Sequence, residues 1–126
     1  MFRDPRGPIE GFEWANFKIN GEEHSKKKGV GKDILVIGNE VSKWKKMGGH
    51  HLSKRSLKLL EGKDIDTLII GNGVYGVVEV NEEVREKARS LGIKKLIVEN
   101  TDKACKRYNE MYGEGKKVAL LAHGTC

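Results

Sequence analysis

The fold is decided by Leu68-Ile69-Ile70-Gly71-Asn72-Gly73-Val74-Tyr75-Gly76, an apolar run that leads into a glycine-rich turn. A short continuous apolar run is typical of a strand buried on both faces at the centre of a helix-covered sheet. The glycines that follow predict a tight turn, because glycine adopts backbone angles that other residues avoid and allows other groups to approach the backbone closely. Loops at the carboxyl ends of sheet strands usually carry the sites of α/β proteins, so the first site prediction falls on this turn.

The same glycines spell G-x-G-x-x-G, and Glu99 follows at the end of the next predicted strand, where a dinucleotide fold would place an acid. Dinucleotide binding requires a helix that opens within the glycine loop, so that its amides face the pyrophosphate. The residues that follow are instead Val77-Val78-Glu79-Val80, which favour extended structure. We therefore interpret the motif as a turn at the end of a strand.

The order of predicted elements indicates an α/β domain. Asn20-Gly21 is a strong signal for a two-residue hairpin turn, and Phe12, Trp14, Phe17 and Ile19 predict strands with a break near Asn16. A buried strand is predicted over 34–37, followed by a loop over 38–51 that Trp44 anchors. Beyond this loop, helices and strands alternate: helices over 54–61, 82–91 and 102–113, and strands over 66–71, 95–98 and 118–122. Ser53, Asn81 and Thr101 are the predicted N-caps. This alternation predicts a largely parallel sheet with helices on both faces and an N-terminal β-hairpin.

Length and composition indicate one domain. The chain has 126 residues, of which residues 1–8 are predicted to form a loose tail and 9–126 a single domain. Lysine and glutamate dominate, glutamine is absent and 33% of residues are charged, which is typical of a thermophile. No apolar run is long enough to span a membrane and the start lacks a signal peptide, so a cytoplasmic location is the expectation.

The positive charge is concentrated in one segment. The net charge is +6, yet the segment 26–58 alone contains ten basic and two acidic residues. Such asymmetry fits nucleic acid, an acidic partner or a solvated face. Trp44 is the only aromatic residue in the segment, which argues against single-strand recognition, so nucleic acid is not the predicted partner.

Several segments together carry a family resemblance. They are Ile9 to Trp14, Phe17 to Gly21, Val41 to Trp44, His51 to Ser53, the Leu68 to Gly76 turn, Thr101, Ala104-Cys105, Tyr108-Asn109, Gly115 to Ala119 and His123 to Cys126. In this order and spacing they resemble the Mth938-like domain family (DUF498), over nearly the whole chain from residue 9. Asn72 stands where that family usually has threonine. The resemblance implies a three-layer α/β domain with a mixed central sheet and no established enzyme activity. Its eukaryotic members include a mitochondrial factor for the assembly of respiratory complex I and an adipogenesis-associated protein.

No catalytic set, metal site or cofactor is predicted. Cys105 and Cys126 lack metal-ligand spacing, and a disulfide between them is disfavoured in a reducing compartment. Cys105 lies on the apolar stripe of its helix, which indicates a structural role. His50 and His51 have no third metal ligand at a suitable spacing.

The predicted function is a non-catalytic protein-interaction or assembly module with a protein partner. The alternative is a small-molecule or anion-binding protein, or an enzyme, that uses the Gly71–Gly76 loop with Tyr75, Cys105 and His123. The predicted ligand-binding residues are Gly71, Asn72, Gly73, Tyr75 and His123. The oligomeric state is not predicted.

A separate anion site is predicted at the start of the 54–61 helix. Lys54 and Arg55 occupy its first turn, where the helix dipole disfavours cations, and His51 precedes them. A phosphate, a carboxylate ligand or an acidic patch on a partner would compensate the unfavourable interaction of these cations with the helix dipole. The competing interpretation is that both long side chains extend into solvent.

Overall fold

The computed structural model describes residues 1–45 and 50–126, and these fold into two β-sheets with helices. The strands are β1 (Phe2–Arg3), β2 (Ile9–Glu13), β3 (Asn16–Ile19), β4 (Glu22–Ser25), β5 (Asp33–Ile37), β6 (Glu40–Lys43), β7 (Thr67–Gly71), β8 (Lys95–Glu99) and β9 (Val118–His123). The helices are a 3₁₀ helix (Lys54–Leu60), α1 (Glu82–Ser90) and α2 (Thr101–Gly113). Within the described ranges, no helix combines the length and the apolar composition needed to cross a bilayer.

The N-terminal sheet is an antiparallel meander in the order β1-β2-β3-β4. Asn20-Gly21 joins β3 to β4 with positive φ at both residues, which confirms the predicted two-residue hairpin turn. The structure differs from the loose tail predicted over residues 1–8. β1 pairs with β2, and the Asn109 side chain donates to the Asp4 carboxylate at 3.0 Å. Such long-range contacts have no local signature in the sequence.

The central sheet has the order β6-β5-β9-β7-β8 and is mixed. β7 pairs in parallel with β8 and β9, whereas β5 is antiparallel to both β9 and β6. All five residues of β7 are buried, which confirms the strand buried on both faces. β6 lies in the segment predicted to be a loop. This part of the prediction is wrong because β6 is an edge strand, half-buried or exposed throughout, without an apolar pattern.

Two apolar cores make the domain three-layered. On one face of the central sheet, Phe12 and Phe17 of the N-terminal sheet pack with Tyr108 of α2. On the other face, Trp44, Leu57 of the 3₁₀ helix and Val84 of α1 pack together. The three-layer α/β architecture with a mixed sheet is therefore confirmed, and the predicted N-terminal hairpin is part of a four-stranded sheet.

Side-chain caps fix where the helices begin. Ser53 caps the 3₁₀ helix and Asn81 caps α1, as predicted. The predicted cap of α2 is wrong by one residue: the side chain of Asn100 accepts from the Lys103 amide at 3.0 Å. Thr101 is thereby the first residue of α2, and its buried hydroxyl is free to bind elsewhere.

Candidate functional site

The glycine turn wraps around the last residues of the chain. The Val74 amide donates to the Thr125 carbonyl at 2.8 Å, and the Tyr75 and Val77 amides donate to the Cys126 carbonyl at 3.0 and 3.3 Å. Gly73 has φ +109°, and a Cβ at this position would collide with the Cys126 carbonyl group. The turn therefore requires glycine for a close approach of its own chain.

This arrangement does not match a dinucleotide site. The next helix in the chain is α1, which begins only at Glu82, and the amides of the turn bind the C-terminal residues. Glu99, the candidate ribose-binding acid, forms an ion pair with Arg107 at 2.9 Å. The interpretation of the motif as a turn at the end of a strand agrees with this geometry.

Gly71 and Asn72 connect the central strand to the turn. Gly71 is buried, and a Cβ on it would lie 3.2 Å from Thr101 and from Ala104 of α2. The Asn72 side-chain nitrogen lies 3.4 Å from the Gly76 carbonyl and closes the turn from within. The structure thus gives both residues a role in shaping the turn, and their predicted ligand contacts stay predictions.

Thr101 connects the turn, α2 and β9. Its hydroxyl donates to the His123 carbonyl at 2.7 Å and accepts from the Gly73 amide at 3.0 Å. Because a threonine before a helix predicts a cap, the sequence pointed to a different role for this residue.

His123 lies at the centre of a three-residue hydrogen-bonded chain. Its Nδ1 is 2.6 Å from Asp33 Oδ1, and its Nε2 is 3.0 Å from the Thr125 hydroxyl. The Gly124 amide also donates to Asp33 Oδ1 at 3.3 Å. In the tautomer with the proton on Nδ1, the ring donates to Asp33, and Nε2 accepts from Thr125. This order of carboxylate, imidazole and hydroxyl is the one that activates a hydroxyl nucleophile.

Asp33 is ionised at neutral pH. Burial raises the pKa of its carboxyl group, but the hydrogen bond and charge of His123, with the nearby Lys32 ammonium, outweigh burial and hold the pKa below its usual value. Sequence reasoning missed Asp33, because it stands 90 positions from His123 and no local motif marks it.

Cys105 does not belong to the hydrogen-bonded network of Asp33, His123 and Thr125. It is fully buried in the core between α2 and the sheets, and burial raises the pKa of its thiol, so the thiol is protonated at neutral pH. The structure therefore brings the glycine turn, Tyr75 and His123 to one edge of the sheet without a reactive Cys105. Within residues 1–45 and 50–126, no group of three or more histidine, cysteine, aspartate or glutamate side chains is placed to hold a metal ion.

An exposed aromatic pair lies beside the glycine turn. The rings of Trp14 and Tyr75 are 6.0 Å apart at their centroids and inclined by 48°. Trp14 is 53% exposed, Tyr75 76% and Val77 41%. We call these three residues the aromatic surface. The sequence placed Trp14 in the same strand pattern as buried Phe12, but β2 ends at Glu13 and Trp14 is on the turn that follows.

The His51 side chain and the backbone amides of Lys54 and Arg55 have partners within the chain. His51 Nδ1 lies 3.2 Å from a Glu79 carboxylate oxygen, and the Lys54 amide donates to the Glu83 carboxylate at 3.1 Å. The Arg55 amide lies 3.3 Å from the Ser53 hydroxyl. Glu83 comes from α1 and supplies a carboxylate where an external anion was expected. The anion site was predicted because no acidic residue near Lys54 and Arg55 in the sequence compensates their positive charges at the start of the helix. In the structure the Glu83 carboxylate, from a distant part of the sequence, lies at this position.

Comparisons with known proteins agree with the fold. The family described as "Protein of unknown function (DUF498/DUF598)" matches residues 9–123. A conserved hypothetical protein of Pyrococcus horikoshii OT3 is 25% identical with a TM-score of 0.77, and the match covers 94% of this chain and 98% of that one.

Two other solved structures are similar. A protein of Rhodopseudomonas palustris is 25% identical with a TM-score of 0.70, over 97% of this chain and 85% of that one. A Mth938-like domain protein of Bordetella pertussis is 16% identical with a TM-score of 0.63, over 92% and 84% of the two chains, and it supports the fold alone. The chain therefore belongs to the DUF498/DUF598 family of proteins of unknown function and has the Mth938-like fold.

Proposed function

We propose that this protein is a non-catalytic interaction module that binds a protein partner through the aromatic surface of Trp14, Tyr75 and Val77. The observation that carries the proposal is the exposure of two large aromatic side chains in mutual contact, at 53% and 76%. Tryptophan and tyrosine dominate the binding energy of protein interfaces, because each buries a large area at a low entropic cost.

The backbone around the aromatic surface is fixed before any partner binds. The Ala15 amide, next to Trp14, donates to the Gly124 carbonyl at 2.7 Å, and the Tyr75 amide donates to the Cys126 carbonyl at 3.0 Å. The backbone at both aromatic residues is thus hydrogen-bonded to the C-terminal segment. The hydrogen bonds among Asp33, His123 and Thr125 fix the position of that segment. Less ordering on binding leaves more of the contact energy as affinity.

An assembly role is supported by resemblance alone. The family that the chain resembles includes a mitochondrial assembly factor. A small domain whose exposed aromatic residues stand on a fixed backbone also suits transient contact with another subunit. Because one fold supports many functions, the aromatic surface carries more weight for this chain than the fold does.

The test is affinity capture from the native host, with the recovered proteins quantified by mass spectrometry. Capture by the wild type is compared with capture by a Trp14→Ala/Tyr75→Ala double variant. Tyr112→Ala is the matched control, because Tyr112 is 39% exposed and stacks on Tyr108 of α2 instead. We expect specific partners to be lost from the double variant and retained by Tyr112→Ala. Unchanged recovery with the double variant would contradict the proposal.

A second candidate function is favoured by the Asp33–His123–Thr125 chain, whose distances of 2.6 and 3.0 Å suit activation of the Thr125 hydroxyl. A fluorophosphonate tests this candidate directly. Thr125 Oγ would form a bond to phosphorus, fluoride would leave, and the hydroxyl proton would pass to His123 Nε2. A mass increase on Thr125 that is lost in His123→Gln supports an enzyme. The absence of a mass increase on Thr125 in the wild type supports a structural role for the hydrogen bonds among Asp33, His123 and Thr125.

A further inference from the structure

We propose that the partner segment is an acidic chain that carries an aromatic residue, seated in a groove between Trp14 and a turn of three lysines. This inference rests on the proposed function and adds the chemistry of the partner. The turn spans 25–28 and bears Lys26, Lys27 and Lys28, and we call it the lysine turn.

The groove brings an aromatic side chain and the lysines together. It is a shallow depression, largely open to solvent, lined by Trp14, Ala15, Asn16, Glu23, Ser25 and the three lysines. Asn16 is paired with Ser25 in the β3–β4 register, so the turn before β3 and the turn after β4 lie at the same end of the N-terminal sheet. An apolar contact and a cationic contact are therefore available to one short segment of a partner.

The groove has uncompensated positive charge. Lys28 Nζ lies 3.5 Å from a Glu23 carboxylate oxygen, and the other Glu23 oxygen accepts from the Asn16 side chain at 3.0 Å. These two contacts, the Asn16 hydrogen bond first, hold the pKa of Glu23 below its usual value. Lys26 and Lys27 are exposed, and in the described part of the chain neither forms an ion pair. Carboxylates on a partner would complement these charges and orient its approach.

The lysine turn presents its side chains on a fixed backbone. The Ser25 amide donates to the Lys28 carbonyl at 2.9 Å, and the Lys28 amide donates back to Ser25 at 3.3 Å. Gly29 follows with φ +57°, and a Cβ there would collide with the ring of buried His24. His24 Nδ1 in turn accepts from the Val30 amide at 3.1 Å. The backbone on both sides of the groove is thus held by hydrogen bonds before binding, which reduces the cost of ordering the backbone.

The surface fits a peptide better than a nucleic acid. The rings of Trp14 and Tyr75 are inclined by 48° and in contact, so they do not form separate parallel platforms for successive bases. Trp44, the only aromatic residue of the basic segment, is buried.

The test is fluorescence anisotropy with a short synthetic peptide of aspartate and glutamate around one central phenylalanine, labelled at its N-terminus. We expect wild type to bind, and Lys26→Ala/Lys27→Ala and Trp14→Ala each to weaken binding about tenfold or more. Lys94→Ala/Lys95→Ala removes two exposed lysines elsewhere on the surface and is the matched control, expected within about twofold of wild type. Replacing the phenylalanine by glycine should also weaken binding, and a lysine-rich peptide should not bind.

Three results would overturn the inference: no binding at about 1 mM peptide, equal binding by wild type and the Lys26→Ala/Lys27→Ala variant, or tighter binding of oligothymidylate that the same changes abolish. Host capture separates the two proposals. If Trp14→Ala/Tyr75→Ala loses its partners and Lys26→Ala/Lys27→Ala keeps them, the interaction surface stands and the acidic partner is wrong. If both variants keep their partners, both proposals are wrong.

Discussion

The two tryptophans of this chain occupy opposite environments. Trp44 is 2% exposed, packs in the core beneath α1, and donates from Nε1 to the Ser56 carbonyl at 2.9 Å. Trp14 is 53% exposed and contacts Tyr75 on the surface. The Trp44 ring is packed against the core, whereas the Trp14 ring is half exposed to solvent although the backbone next to it is fixed by a hydrogen bond.

The difference between the two rings separates stability from recognition. A buried aromatic ring stabilises the native state through area removed from water and through a satisfied donor. An exposed ring contributes little to folding, yet it can bury the same area against a partner. Substitutions at the two positions should therefore affect different measurements, and the following predictions test that division.

The largest effect is expected at the buried ring. Trp44→Ala removes a fully packed side chain and leaves the Ser56 carbonyl without its donor, so the free energy of unfolding should fall by about 3–5 kcal/mol. Urea denaturation followed by circular dichroism measures this loss. Trp14→Ala is the control on the same residue type. A loss below about 1 kcal/mol for Trp44→Ala would contradict the comparison.

The next effect is expected at Gly73, which links the glycine turn to the C-terminal segment. Gly73→Ala places a Cβ against the Cys126 carbonyl at φ +109°, and should lower the free energy of unfolding by about 1–3 kcal/mol or displace residues 124–126. Gly92→Ala is the matched control, because Gly92 has φ +84° with nothing within 4 Å of its added Cβ. The excess loss of Gly73→Ala over Gly92→Ala measures the close contact itself. Equal losses would show that the contact contributes nothing.

A pH-dependent effect is expected at Asp33, which helps to hold the segment behind Trp14. Because the folded pKa of Asp33 lies below its unfolded value of about 3.9, its stabilisation is present above that value and is lost as pH falls through the folded pKa. Asp33→Asn should therefore lower the free energy of unfolding by about 1–3 kcal/mol near neutral pH. The difference from wild type should shrink below about pH 4. Urea denaturation at several pH values measures it, and a constant difference would show that the carboxylate charge is not responsible.

The smallest effect on stability is expected at the exposed ring. Tyr75→Ala should change the free energy of unfolding by about 0.5 kcal/mol or less and Trp14→Ala by about 1 kcal/mol or less, since Tyr75 is mostly in solvent and Trp14 is about half exposed. Acrylamide quenching of tryptophan emission adds a readout of exposure. Trp14→Ala should abolish the readily quenched fraction and leave the protected emission of Trp44. Efficient quenching that persists in Trp14→Ala would place the exposed ring at Trp44 instead.

Elements with local signals were predictable from sequence. The apolar run of β7, the Asn20-Gly21 turn, and the Ser53 and Asn81 caps each depend on residues within a few positions of one another. Two edge strands, β1 and β6, were not predictable. β1 and β6 form by pairing with a neighbouring strand, and their short sequences have no apolar alternation of their own.

The candidate site was predictable only in part. The positions of the glycine turn, Tyr75 and His123 after strands were readable from the sequence, and the structure brings these residues to one end of the central sheet, while their ligand binding stays a prediction. Their partners were not readable from the sequence, since the pairing of Asp33 with His123 joins residues far apart in the chain. For the same reason the carboxylate of Glu83, brought to Lys54 by α1, was invisible in the local sequence.

The most direct measurement is site-specific photo-cross-linking in the native host. A p-benzoylphenylalanine residue placed at position 75 probes the aromatic surface, and the same residue at position 112 probes an exposed tyrosine on α2. We predict a protein adduct at position 75 that is absent at position 112 and is lost when Trp14→Ala is added. Adducts of equal yield at the two positions, or none at position 75, would contradict the claim that this surface binds a protein partner.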